Sequence, residues 1–173
     1  MENINNEIEL VPYKSSESID KNYLIELIIN FWKEHNGILQ NIDETINDIN
    51  EWTKSGHKLY LIKYDNNYIG FAHLGSRGCE IDWLEDIFVL PKYQRKGIGS
   101  KVIYMLEQIV KEYSDSLYIE VATRNINALR LYNKIGYNCL NTVTIRKDFK
   151  PDNLKTISKE KINDLDFDIK TTK

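Results

Sequence analysis

A cationic turn carrying two glycines is the first stretch of this chain with chemistry in it. Gln94-Arg-Lys-Gly-Ile-Gly99 joins Trp83–Leu90, an apolar run of strand character, to Lys101–Tyr113, whose apolar residues recur at helical spacing. A strand that feeds a helix through such a turn offers free backbone N–H groups, and the helix dipole adds partial positive charge there. A phosphate or pyrophosphate is the natural guest. Gly97 and Gly99 let the main chain approach it with no Cβ between, while Lys92, Arg95, Lys96 and Lys101 gather local charge. A plain tight turn fits the same residues. The Walker pattern GxxxxGK[ST] is absent, and Val102 stands where G-x-G-x-x-G requires its last glycine.

Other side chains could move protons. Glu85 and Asp86 are neighbours in the strand-like run, so alternation predicts that they point to opposite faces. Tyr132 follows Asn125 by seven residues, about two helical turns, which puts the two on roughly one face. His35, His57 and His73 are isolated, with no second ligand at metal spacing, and no metal site is expected. Cys79 and Cys139 form no CxxC; two reduced thiols are expected, Cys139 as a small buried strand residue rather than a nucleophile.

The elements that must position these groups follow from periodicity. Ile8–Tyr13 reads as a first strand ending near Pro12, and Ser18–His35 as an amphipathic helix closed by Gly37. Asp43–Lys54 is a second helix. Lys58–Tyr64 and Tyr68–Leu74 flank Asp65-Asn-Asn67 as a β-hairpin. Cys79–Leu90 is a further strand, followed by the glycine turn and a helix to Tyr113. Ser116–Ala122 reads as a strand, Asn125–Ile135 as a helix stopped by Gly136, and Tyr137–Phe149 as strand-like. Asp164–Ile169 alternates within a polar tail and predicts a last strand. Phe31, Trp32 and Trp52 lie on the helix stripes and fit the core.

Composition narrows the function classes. The 173 residues suffice for one domain with a real core. Eleven tyrosines and three tryptophans argue against disorder. A net charge of −3 gives no overall case for nucleic acid, so the local basic cluster suggests a small anionic ligand. Met1–Glu9 is polar without a targeting pattern, and no apolar run reaches the ~18–20 residues of a membrane span. A cytoplasmic protein is expected.

Two ordered signatures then resemble the GNAT superfamily of N-acetyltransferases. LEDIFVLPKYQRKGIGSKVI (84–103) is similar to that family's strand, pyrophosphate loop and helix, and LYIEVATRNINALRLYNKIGYN (117–138) to its second signature. Residues 84–103 are nearest to diamine and polyamine acetyltransferases, although that loop holds cofactor rather than acceptor. The resemblance implies a mixed α/β (α+β) fold, with a mostly antiparallel, splayed central sheet of six to seven strands and about four helices. It implies one domain over residues 1–173, with a motif-covered core at about 8–149 and the tail 150–173 outside it.

The family likeness also assigns roles. Acetyl-CoA would be the cosubstrate, its pantetheine arm against backbone groups of Phe88, Val89 and Leu90, its pyrophosphate held by Gln94, Arg95, Lys96, Gly97, Ile98, Gly99 and Ser100. Asn125 would contact CoA, with Asn127 as second choice; both also fit a helix N-cap. Glu85 would act as general base through a water and Asp86 would position the amine, although both also fit surface or capping carboxylates. Glu120 is an alternative base. The Val89 N–H would bind the oxyanion, and Tyr132 would protonate the leaving thiolate, against the plainer reading of a half-buried packing residue. Trp32, Glu34, His35 and Asn36 would lie near the acceptor. The implied reaction is direct attack of a primary amine in a ternary complex, with a small cationic amine as acceptor. Peptide or protein N-acetylation, aminoglycoside-type acetylation and a non-catalytic acyl-CoA-binding module are the alternatives. A homodimer fits the resemblance as well; nucleic acid and membrane do not.

Overall fold

The computed structural model describes residues 7–15 and 18–173, and the chain divides into two compact units, Met1–Glu120 and Val121–Lys173. The reading of the N-terminus falls outside the described residues as far as residue 6.

The first unit holds β1 (Ile8–Pro12), α1 (Ser18–Asn36), α2 (Ile42–Trp52), β2 (His57–Tyr64), β3 (Asn67–Gly75), β4 (Trp83–Val89), α3 (Ile98–Val110) and β5 (Tyr118–Ile119). The strands form one sheet in the order β1-β2-β3-β4-β5. Every pair is antiparallel except β4–β5, which is parallel and confined to Trp83–Tyr118 and Leu84–Ile119.

Local sequence explains these elements. Asn41 and Glu44 form a capping box at the start of α2, each side chain accepting the other's backbone N–H at 2.9 Å. Asp65 and Asn66 both take positive φ, 49° and 60°, in the two-residue turn that joins β2 to β3. Such turns match the twist of the flanking strands, and these residue types tolerate that conformation. The α1 stripe Leu24, Leu27, Ile28 and Phe31 packs with Ile49 of α2 on Leu59, Leu61, Phe71 and Phe88 of the sheet. Phe31 meets Phe71 edge-on at 5.5 Å and Trp52 stacks on Phe71 at 5.6 Å. Tyr60, Ile62 and Ala72, the intervening strand residues, are buried as well. The helix α3 packs on β1 and β4 with its own buried stripe, Val102, Ile103, Leu106 and Val110.

The second unit contains α4 (Ile126–Lys134), β6 (Leu154–Ile162) and β7 (Leu165–Thr172). The two strands pair as an antiparallel hairpin through Asn163 and Asp164, again both at positive φ. The predicted last strand, Asp164–Ile169, falls on β7 except for Asp164, which is in the turn, and β6 has no counterpart in the predicted elements. The predicted strand at 137–149 does not form: those residues carry no regular structure, and Val143 and Ile145 are exposed. Alternation provides a face but not a partner edge. Within this stretch Asp148 pairs with Arg146 at 3.0 Å and with Lys170 of β7 at 3.1 Å. The mixed class holds, with the seven strands among the described residues divided between a five-stranded sheet and a two-stranded hairpin.

At Gly70 the β3 backbone passes so close to β4 that an added Cβ would sit 2.0 Å from the Phe88 carbonyl oxygen. Gly70→Ala must separate the two strands. We expect a loss of about 1–3 kcal/mol or more, the range of overpacking, read as a lowered denaturation midpoint.

Candidate active site

The joint between β4 and α3 combines a tight turn with an open helix start. Pro91–Tyr93 make one 3₁₀ turn, Arg95 takes φ 60°, and Gly97 caps α3 at φ 80°. A left-handed cap is costly for residues with a Cβ, hence the glycine. Among the described residues no side chain caps the α3 N-terminus, and an added Cβ at Gly97 or Gly99 would have open space around it. Those conditions suit a phosphate on the amides of Gly97, Ile98, Gly99 and Ser100. Lys96 and Lys92 lie over the Tyr93 ring at 5.5 and 5.1 Å. Gln94 differs from expectation: its N–H goes to the Pro91 carbonyl at 3.1 Å and its side-chain amide donates to the Val89 carbonyl at 2.8 Å. It braces the loop against β4.

The edge of β4 has the form the resemblance implies. Because β5 pairs only as far as Leu84, no strand among the described residues lies beside Glu85–Val89 on the side away from β3. Those backbone groups are placed to meet an extended ligand, with Phe88 and Val89 buried and Leu90 half-buried.

The two carboxylates depart from the strand alternation. His73 pairs with Asp86 and Leu74 with Leu84, so Glu85 is an extra residue in β4. The bulge turns it toward the Gly75 position, where an added Cβ would meet Glu85 Cγ at 2.9 Å, Glu85 Oε1 at 3.2 Å and His57 Nδ1 at 3.4 Å. Glu85 and Asp86 therefore both face the histidine side of the sheet, not opposite faces.

Arg77, which sequence reading passed over, grips Glu85 with two hydrogen bonds of 2.9 and 2.7 Å and reaches Glu120 at 2.6 Å. Its guanidinium lies 3.9 Å from the Trp83 ring centre, and Trp83 stacks on Tyr118. Glu85, then Glu120, raises the Arg77 pKa further above its ordinary value. Both carboxylates proposed as base thus share one cation.

His57 and His73 are not isolated. His73 Nδ1 lies 3.0 Å from Asp86 Oδ2, and His73 Nε2 lies 2.9 Å from His57 Nδ1. Trp52 covers His73 at 4.9 Å, nearly parallel to it, and the ring is only 3% exposed. Burial lowers the His57 pKa; the charges of His73 and Lys54 add to that, and Glu85 and Glu51 oppose it. Simple counting from Tyr64 opposite Asn67 would set Leu59 against Ala72; the register shift at Ile62–Lys63 sets it against His73, with His57 on the same face.

Elsewhere in this unit Trp32 donates its indole N–H to Asp48 at 2.8 Å, and Gln40 donates to the same oxygen at 2.9 Å, which pins the α1–α2 connection. Trp32 is half-buried and His35, Glu34 and Asn36 are exposed. In the second unit Asn125 caps α4 by accepting the Ala128 N–H at 3.2 Å. Tyr132 is half-buried on α4, and burial raises its pKa, which favours the neutral proton-bearing phenol. Cys79 and Cys139 are free and exposed; Cys139 is neither buried nor in a strand. Among the described residues no group of three His, Cys, Asp or Glu is arranged to hold a metal, and no helix is long and apolar enough to cross a membrane.

Known proteins resemble this chain. A sequence model of the "Acetyltransferase (GNAT) family" matches residues 23–137. A spermine/spermidine N(1)-acetyltransferase of Bacillus subtilis strain 168 is 30% identical over 84 residues, 43% of this chain and 55% of that protein. A [ribosomal protein bS18]-alanine N-acetyltransferase of Escherichia coli K12 is 33% identical over 69 residues, 39% and 45% of the two chains. The chain thus spans about half the length of these curated relatives. The solved aminoglycoside N-acetyltransferase AAC(6')-Iy in complex with CoA shares the fold, with TM-score 0.64 at 16% identity over 83% of this chain and 95% of that one.

The depressed His57 pKa couples stability to pH. Between the folded pKa and the unfolded value near ~6.5 the unfolded chain binds more protons, so acid favours unfolding. Stability is expected to fall as pH drops below ~6.5. His57→Gln should flatten that dependence in urea titrations repeated across pH.

Proposed function

The chain belongs to the GNAT family of acetyltransferases, and from that premise we propose that it transfers the acetyl group of acetyl-CoA to a primary amine by direct attack in a ternary complex. The observation that carries this reading is the β4–α3 joint: a helix N-terminus without a side-chain cap behind a left-handed glycine, beside a strand edge without a partner among the described residues. Backbone groups of Phe88, Val89 and Leu90 would hold the pantetheine arm, and Arg95, Lys96, Gly97, Ile98, Gly99 and Ser100 the pyrophosphate, with Asn125 as a further contact. Gln94 would position that loop. When bound, acetyl-CoA supplies an activated thioester.

The protein's own groups then manage protons and charge. Alkylammonium groups have pKa values near ~10.4 and must lose a proton before attack. Glu85 would draw the ammonium in and take its proton through a water, and Asp86 would help to place it. The Val89 N–H would stabilise the oxyanion. Tyr132 would donate to the thiolate, whose ordinary pKa near ~8.5 lies below that of the phenol. Trp32 and His35 would border the acceptor.

A small cationic amine is the acceptor we favour. Two carboxylates on one face support it, as does the likeness to the spermine/spermidine enzyme. The likeness to the ribosomal-protein enzyme supports a peptide N-terminus as a second reading. A cytoplasmic location fits the free cysteines; a homodimer rests on the resemblance alone, and sedimentation reads it.

The test is thiol release from acetyl-CoA against spermidine, diamines, aminoglycosides and N-terminal peptides. Turnover with spermidine or a diamine is expected. Glu85→Gln and Tyr132→Phe should each lower kcat by about 10²-fold or more, the usual share of a general acid or base, with CoA still bound. Tight CoA binding without turnover of any amine would favour a binding module. Absence of CoA binding would overturn the reading of the joint.

A further inference from the structure

Asp86, His73 and His57 form one hydrogen-bonded chain whose polarity follows from chemistry. An ionised carboxylate only accepts, so His73 donates from Nδ1 across 3.0 Å. Neutral His73 then has only a lone pair at Nε2, and His57 must donate to it from Nδ1 across 2.9 Å. The lone pair left free is that of His57 Nε2. We infer that His57 is the terminal acceptor of the proton shed by the substrate ammonium, with His73 and Asp86 as positioning residues that hold its tautomer and share its charge. This rests on the acetyl-transfer reading above and deepens it.

Glu85 is poorly placed to keep that proton, because both its oxygens are on Arg77. Its Oε1 borders the same space beside Gly75 as His57 Nδ1 does, so the proton would pass to the outer Nε2 through a bridging water. A proton reaching His57 Nε2 makes an imidazolium. Its Nδ1 proton can then move to His73 Nε2, which leaves the cation on His73 against Asp86, under the Trp52 ring. Over a turnover the amine nitrogen loses two protons and gains the bond to the acetyl carbon as the C–S bond breaks. One proton ends on sulfur and one leaves through the relay to solvent. The charged groups around His57 are Glu85 of β4, Glu51 of α2, Lys54 just beyond it, and His73 with Asp86 behind it.

Two measurements on the full-length protein test this. The first is the pH dependence of kcat/KM with spermidine, for wild type and for His57→Gln, Asp86→Asn and Glu85→Gln. Wild type is expected to show an acid limb below the ordinary histidine value of ~6.5, since burial lowers the His57 pKa. His57→Gln should remove the limb and cut kcat/KM about 10²-fold or more. Asp86→Asn and Glu85→Gln each remove a negative charge near the imidazole pair and should both move the limb to lower pH, and Glu85→Gln should lower the rate as well. A limb that survives His57→Gln, or that only Glu85→Gln abolishes, sinks the relay while leaving acetyl transfer intact. The second is the ring-nitrogen NMR of the ligand-free protein. Both Nδ1 atoms should be protonated, and Asp86→Asn should shift the titration of His57 two hydrogen bonds away. An unmoved His57 titration overturns the relay whether or not any amine is acetylated. A coupled titration without turnover of any amine sinks the transfer reading and the proposed role together. Circular dichroism of each variant separates misfolding from lost chemistry.

Discussion

A register shift of one residue between β3 and β4 governs which side chains meet on one face of this sheet. Ordinary pleating would have sent Glu85 and Asp86 to opposite sides. The extra residue opposite the His73–Leu74 step brings both carboxylates to the face that carries His57 and His73. That face then concentrates negative charge next to a buried imidazole. Both carboxylates are partly exposed, and each has a partner: Asp86 meets His73 and Glu85 meets Arg77. The Arg77 contacts are partly exposed, and such pairs contribute only about 0–1 kcal/mol. Their effect is mainly positional.

The same strand serves a second purpose one pleat further on. β5 is too short to follow β4, and the sheet opens where β4 runs on toward the α3 joint. Aromatic packing of Phe88 with Phe31 and Phe71 holds that exposed-edge segment from one face. On the proposed reading, proton handling and cofactor binding would be neighbours along seven residues, Trp83–Val89.

Much of this was legible in the residues. Local signals placed α1, the hairpin, the β4–α3 joint and α4 within a few residues, because capping, left-handed turns and apolar stripes act over short range. Long-range register was not legible. Asp86 meets His73 across Ser76–Asp82, and nothing local sets that offset. The histidines lack metal spacing, and the bulge at Ile62–Lys63 that brings them to one face is not legible in the turn. Val143 and Ile145 alternate as strand residues do, yet no edge pairs with them. Arg77 lies just past a strand and shows no motif.

The turn at Asp65–Asn66 lies about eight residues from His57, some ~25 Å along the strand at ~3.3 Å per residue. Surface turns usually absorb insertions freely. Here one added residue that slid β3 along β2 would swing His73 to the opposite face and leave Trp52 stacked on nothing polar. The length of that distant turn is therefore tied to the chemistry, so insertions there should be as poorly tolerated in evolution as substitutions at the histidines themselves.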